Sequence, residues 1–250
     1  MRLVQYRILT RILDKVQVPE YIYAFEKSKS IPVMAQLHVG KNLLISVDIK
    51  NFFHSIKQRV VSQILQEGLG IGSQPARLIS ELCTYEAFTP QGALTSPKIS
   101  NLVAALTFGP LIKAWADSND FTCTIYADDV TLSTDRSDVV VPDVVRFLQE
   151  TIRQFNFRLN HKKTKIMHRG CRQFVCGVVV NQKTNMVRKQ RDNLKAMVHN
   201  VCRNGYEVEA RRLNKTPSEF ENHLKGRLNW FSQLNLAAAD KLRFRLASLV

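Results

Sequence analysis

Little in these 250 residues points to a membrane, an oxidising compartment or a structural metal. No apolar run approaches 18 uninterrupted residues, so no membrane-spanning helix is expected. There are five cysteines, at positions 83, 123, 171, 176 and 202, an odd number lying largely in apolar stretches. They read as reduced thiols, and with them a cytoplasmic setting. Cys171 and Cys176 have no second ligand pair, which argues against a zinc site. Aromatic residues make up 8%, too few for base stacking to be the main grip on a nucleic acid. No repeat, low-complexity tract or linker interrupts the chain. The first 16 residues have helical spacing with Arg2, Arg7, Arg11 and Lys15 interspersed, but no small-residue cleavage site follows, which argues against a presequence.

Acids are also scarce: 21 Asp and Glu stand against 36 Lys and Arg, a net charge of +15. Placement matters more than size. Residues 151–250 hold 21 basic against 6 acidic side chains, whereas residues 1–150 hold 15 of each. A one-sided basic region is the expected footprint of phosphate-backbone tracking, although a membrane surface or an acidic protein would also meet such a face. From Lys189 onward the spacing turns helical, with Leu194, Met197, Val198 and Val201 recurring and Asn204-Gly205 as a break. Thr216 and Pro217 read as the cap and first turn of a second helix. Its apolar face is Phe220, Leu224, Leu228, Phe231 and Leu234, and Leu242, Phe244 and Leu246 carry a last short segment.

Where acids do occur, two patterns carry chemistry. The run Phe121 to Ser133 reads as strand, turn and strand, with Tyr126-Ala127-Asp128-Asp129 at the turn. Adjacent acids at a hairpin tip repel each other, and they fit either an Asp-rich turn or a pair of metal-holding carboxylates. Asn42 to Asp48 is an apolar strand that ends on a carboxylate. An unpaired acid there is costly unless a cation neutralises it, although a helix N-cap is an alternative role. Two magnesium ions need several carboxylates converging from different strands, and Asp48 with Asp128 would supply them.

At this point the chain resembles reverse transcriptases, in particular the bacterial retron and group II intron branch, with retron enzymes nearer. Ser46-Val47-Asp48 through Phe53 resembles the first catalytic block. Pro90-Gln91-Gly92 through Asn101-Leu102 resembles the nucleotide-handling block, and Tyr126 to Asp129 the metal hairpin. Leu159-Asn160 through Ile166 and Phe174 through Asn181 resemble two later blocks, and Ala24-Phe25-Glu26-Lys27 and Ala35 to His38 the segment before the first catalytic strand. The resemblance implies an α+β right-hand polymerase with an antiparallel-sheet palm, partial fingers and a helical thumb. The implied limits are fingers at 1–45, palm at 46–185 with embedded finger helices around 57–90, and thumb at 186–250.

The roles implied by the resemblance fall on particular residues. Asp48, Asp128 and Asp129 would be catalytic and hold two Mg²⁺ ions, Asp129 the weaker ligand. The Ile49 carbonyl would approach the metal. Phe53 would close over the sugar and favour deoxynucleotides, unless it is an ordinary core phenylalanine; Phe52 is adjacent, and one of the two must pack inward. Gln91 and Gly92 would line the incoming nucleotide. Lys163 would sit by the pyrophosphate leaving group, or else join Lys162 and Lys165 in a solvated basic face. Cys176 and Gly177 would grip the primer, or simply form a tight turn.

The expected activity is template-directed addition of dNTPs to a primer on RNA. The expected partners are a structured RNA template, an RNA–DNA hybrid and an effector protein in antiphage defence, with no membrane. Relatives carry a fingers hairpin before the helix that begins near Leu3, so if the 250 residues are the whole protein, weak nucleotide binding is expected. Two alternatives stay open: a template-independent or protein-primed polymerase of the same family, and a nucleic-acid-binding protein that retains the fold without polymerising.

Overall fold

The structure is a computed structural model, and it describes residues 1–27 and 29–247. In chain order it begins with α1 (Arg2–Arg11), α2 (Ile31–Gln36), β1 (Leu43–Asp48), α3 (Phe52–Ser55), α4 (Gln58–Gln63) and α5 (Ser73–Cys83). Next come α6 (Ser96–Leu106), α7 (Phe108–Ser118), β2 (Thr122–Tyr126), β3 (Asp129–Thr134), α8 (Val141–Gln154) and β4 (Lys165–His168). Three two-residue strands follow, β5 (Phe174–Val175), β6 (Val178–Val179) and β7 (Asn185–Met186). The chain then becomes helical in α9 (Arg188–Asn204), α10 (Tyr206–Arg212), α11 (Pro217–Leu234) and α12 (Leu236–Ala247).

Compactness divides the chain into two units, and the cuts do not follow the limits 45/46 and 185/186. One unit comprises Met1–Ser30 and Lys41–Cys171; the other comprises Ile31–Gly40 and Arg172–Val250. The difference arises from non-local pairing. Residues 31–40 join the later part of the chain, where the Gly40 N–H donates to the Val180 carbonyl at 3.0 Å. The small antiparallel sheet β5-β6-β7 likewise groups with the helices after it.

In the first unit the sheet order is β2-β3-β1-β4, antiparallel throughout. Alternation along each strand separates two faces. Leu43, Ile45 and Val47 of β1, Cys123 and Ile125 of β2, and Val130 and Leu132 of β3 enter the core with Leu102, Phe108, Ile112, Leu148 and Ile152 of α6, α7 and α8. Phe52, Phe108 and Phe157 meet there edge-on, with ring centroids 5.4 to 6.2 Å apart. The opposite face of the same strands carries Ser46, Asp48, Thr131 and Asp129, so the period of two that builds the core also aligns the acids.

The second unit rests on the apolar face of α11. Phe220, Leu224, Leu228, Phe231 and Leu234 are all buried, as their spacing predicts. Thr216 and Glu219 form a capping box, with the Thr216 N–H donating to Glu219 Oε2 at 2.9 Å and Pro217 in the first turn. The last segment departs from the sequence reading. α12 is one continuous helix that buries Leu242 and leaves Phe244 76% exposed, because residues two apart on a helix point to different sides. Among the described residues no single helix is long and apolar enough to cross a membrane.

Candidate active site

The acidic site is built from strand register. Asp48, at the end of β1, lies directly opposite Asp129 at the start of β3, and Asp129 lies opposite Tyr126 at the end of β2. Tyr126, Asp129 and Asp48 therefore form a row across three strands on the face turned away from the core helices. Between Tyr126 and Asp129 the chain turns in two residues. Ala127 takes φ +53° and Asp128 does not share the positive φ, the pattern of a turn that usually places glycine first. Left-handed alanine is strained, and the strain is held by ladder bonds on both sides. The turn is anchored across the sheet as well: the Ile49 N–H donates to the Asp128 carbonyl at 2.8 Å.

A second loop closes the same end of the sheet. The Asn160 N–H donates to the Asp48 carbonyl at 2.8 Å, and the Lys50 N–H donates to the Arg158 carbonyl at 2.8 Å. The turn from Asn160 to Lys163 then aims the Lys163 ammonium at Asp48 Oδ2, 2.8 Å away. Asp48 is 6% exposed, so this ammonium neutralises a nearly buried carboxylate. The Asp48 contact raises the Lys163 pKa, so the amine stays protonated. Lys162, Lys163 and Lys165 are all exposed, as a basic face requires, yet Lys163 also reaches the acids.

Asp128 and Asp129 each sense the neighbouring carboxylates. Burial raises the Asp128 pKa, and the charge of Asp48 adds to it. Burial pushes Asp129 up to about 6, with Asp128 and then Asp48 contributing further. Like charges held in a partly dry site call for a cation. Among the described residues no three His, Cys, Asp or Glu side chains form a ready-made metal cage. That is compatible with a magnesium site, because magnesium keeps several waters and uses only one or two carboxylates plus substrate phosphates. The donor set is hard carboxylate oxygen, which suits such an ion.

The other predicted residues are placed as follows. Phe52 packs inward at 2% exposed, whereas Phe53 is half-buried and its ring meets Phe25 at 6.5 Å. The Ile49 side chain is fully buried. Gln91 is exposed and lines a cleft of about 440 Å³ with Asn51, His54, Phe88 and Thr89. Gly92 adopts φ +91° with open space where a Cβ would stand, so backbone conformation rather than crowding explains the glycine. Cys176 (φ +45°) and Gly177 (φ +82°) are the two central residues of the β5–β6 hairpin, the pairing expected of a tight turn, and they lie in the second unit. His54, whose ring lies tilted against Phe88 with centroids 3.8 Å apart, was not singled out from sequence, where an isolated His after two Phe carries no signal.

The family description "Reverse transcriptase (RNA-dependent DNA polymerase)" matches residues 1–201, most of the chain. The chain belongs to the reverse transcriptase family. Its relatives include the retron Mx65 reverse transcriptase of Myxococcus xanthus, 31% identical over 98% of this chain and 58% of that protein. The retron Ec86 reverse transcriptase of Escherichia coli is 31% identical over 81% of this chain and 63% of that protein. The chain thus spans less than two thirds of the length of either relative.

Solved structures agree on the fold. Telomerase from Candida tropicalis, in complex with a TWJ fragment of telomeric RNA, aligns over 95% of this chain and 47% of its own, at a TM-score of 0.54 and 12% identity. Telomerase from Candida albicans aligns over 79% and 42%, at 0.53 and 11%. The mixed helical and antiparallel architecture is thus that of a right-hand polymerase. Reverse transcriptases generally use divalent metal ions, which accords with the carboxylate chemistry of this site.

Proposed function

We propose that this reverse transcriptase-family chain is an RNA-directed DNA polymerase of retron type, adding dNTPs to a primer 3′-hydroxyl paired with a structured RNA template. The observation that carries the reading is the row Tyr126–Asp129–Asp48 across three strands, with Asp128 at the adjoining turn. Asp48 and Asp128 would hold two magnesium ions, with Asp129 as a weaker ligand. Metal bound there would supply activation of the primer hydroxyl and stabilisation of charge on the phosphoryl group in transit.

The chain's own groups do the rest. Lys163 Nζ keeps its proton beside Asp48 and is a cation suited to the departing pyrophosphate. Gln91 and the left-handed Gly92 present side chain and open backbone to the incoming nucleotide. Phe53 would stand against its sugar, and the Ile49 carbonyl would be a further oxygen donor available to the metal. We assign residues 1–45 to fingers, 46–185 to palm with embedded finger helices around 57–90, and 186–250 to thumb. The Cys176-Gly177 hairpin grips the primer, and the thumb follows duplex phosphates. By the retron likeness, the template is a noncoding RNA copied in antiphage defence beside an effector protein.

The test is magnesium-dependent dNTP incorporation on a primed RNA template, comparing the chain with an Asp128→Ala, Asp129→Ala double variant. Incorporation that falls by at least about a thousandfold in the variant supports the reading. Equal incorporation by the two proteins, or product formed without the RNA template, rules it out.

A further inference from the structure

Phe25 is a large apolar side chain, 51% exposed, whose backbone sits at φ +60°. A bulky non-glycine residue in that region is uncommon and persists only where its surroundings hold it. Here they do. The Asn101 amide donates to the Ala24 carbonyl at 2.6 Å and to Glu26 Oε1 at 2.9 Å, bonding the residues on either side of Phe25. Lys98 Nζ donates to both oxygens of the Glu26 carboxylate, at 3.0 and 3.2 Å. Lys98 and Asn101 are buried on α6, and the Glu26 side chain is only 19% exposed. A charge pair withdrawn from water in this way is costly and keeps its geometry, since either partner alone would be a buried uncompensated charge.

What this clamp fixes is the ring of Phe25. The ring lies 6.5 Å from Phe53, edge-on, and 6.4 Å from Tyr126, which begins the acidic row. Phe53 also meets Phe52, at 6.1 Å, so its ring has two aromatic neighbours, Phe52 and Phe25. Phe52 is locked in the core, so the freedom left to the Phe53 ring is limited by Phe25. We infer that Phe25, held by the Glu26–Lys98–Asn101 clamp, is a positioning residue that fixes the Phe53 ring and so sets discrimination between deoxy- and ribonucleotides. This inference rests on the proposed polymerase reading, because it takes Phe53 as the residue facing the sugar. Truncating Phe25 lets the Phe53 ring swing into the vacated space, and a 2′-hydroxyl is then tolerated.

The experiment measures discrimination rather than speed. Incorporation of dATP and ATP on a primed RNA template is compared for the wild-type chain and for Phe25→Ala, Phe25→Tyr and Asn101→Ala. A second measurement uses a dideoxy-terminated primer, on which no chemistry follows, and reads the ratio of dATP to ATP dissociation constants by displacement of a fluorescent dATP analogue. The expected result is a loss of deoxy-over-ribo preference on the order of tenfold in Phe25→Ala and Asn101→Ala, with Phe25→Tyr near wild type. A residue important only for folding would lower use of both nucleotides together. An unchanged ratio in Phe25→Ala, in a wild-type background that polymerises, overturns the inference and leaves the polymerase reading standing. A wild type that incorporates nothing while its binding ratio still falls in Phe25→Ala removes the polymerase reading and keeps the positioning role.

Discussion

At Asp129 the fold works against ionisation. Burial, with the charges of Asp128 and Asp48 behind it, lifts the carboxyl from the ordinary 3.8 to about 6. An acid with a raised folded pKa holds its proton more tightly folded than unfolded. Its stabilising contribution is therefore complete below about pH 3.8, declines as pH rises through about 6, and is gone above that. In metal-free buffer, urea unfolding between pH 4 and 7 should show stability falling with pH, and Asp129→Asn should remove much of that slope. At pH 7 the variant should be more stable by about 1 kcal/mol, a figure reduced for partial solvent screening. An identical slope in the two proteins would show that Asp129 titrates normally. The same scale shows what local pattern conceals. That one of Phe52 and Phe53 must pack inward could be read from their adjacency, but which of them does so depends on Phe108 and Phe157, more than 50 residues away in sequence.

Among the elements, those whose stability is settled locally were the legible ones. Thr216, Pro217 and Glu219 announce the start of α11 because a capping box needs only residues three apart, and the five apolar positions that follow need only helical period. Thr216→Ala removes the acceptor for the Glu219 N–H and the hydroxyl bonded to its carboxylate. It should cost about 1 kcal/mol, read as a lower thermal midpoint with unchanged far-ultraviolet dichroism at 20 °C. No shift would mean that packing of α11 carries the helix without its cap. The β2–β3 hairpin was equally plain, because a tight turn joins neighbours in sequence. The order β2-β3-β1-β4 was not, nor was the bridge from Gly40 to Val180, nor the clamp joining Glu26 to Lys98. Each joins segments tens of residues apart, and nothing in hydrophobic period encodes the partner. The acids themselves could be picked out from sequence; that Asp48 and Asp129 face each other directly came only with the register.

For the whole molecule, folding redistributes the charge that the sequence seems to place in its last hundred residues. The unit formed by residues 31–40 and 172–250 holds 15 Lys and Arg against 6 Asp and Glu, an excess of 9. The remaining excess of 6 belongs to the unit that carries the acids. If the basic excess tracks a phosphate backbone, affinity for a primed RNA template must fall linearly with salt on logarithmic axes, because each neutralised phosphate releases counterions. Each neutralised phosphate contributes about 0.7 to 0.9 to that slope. Lys189, Lys195 and Arg203 are exposed on α9, whose apolar side, Leu194, Val198 and Val201, is buried. Replacing the three by glutamine leaves that packing intact and should reduce the slope by up to about 3 while weakening affinity for different template sequences alike. Fluorescence anisotropy between 50 and 200 mM salt measures both quantities. A slope unchanged in the triple variant would show that Lys189, Lys195 and Arg203 do not touch the backbone, and the grip would then have to come from other basic residues.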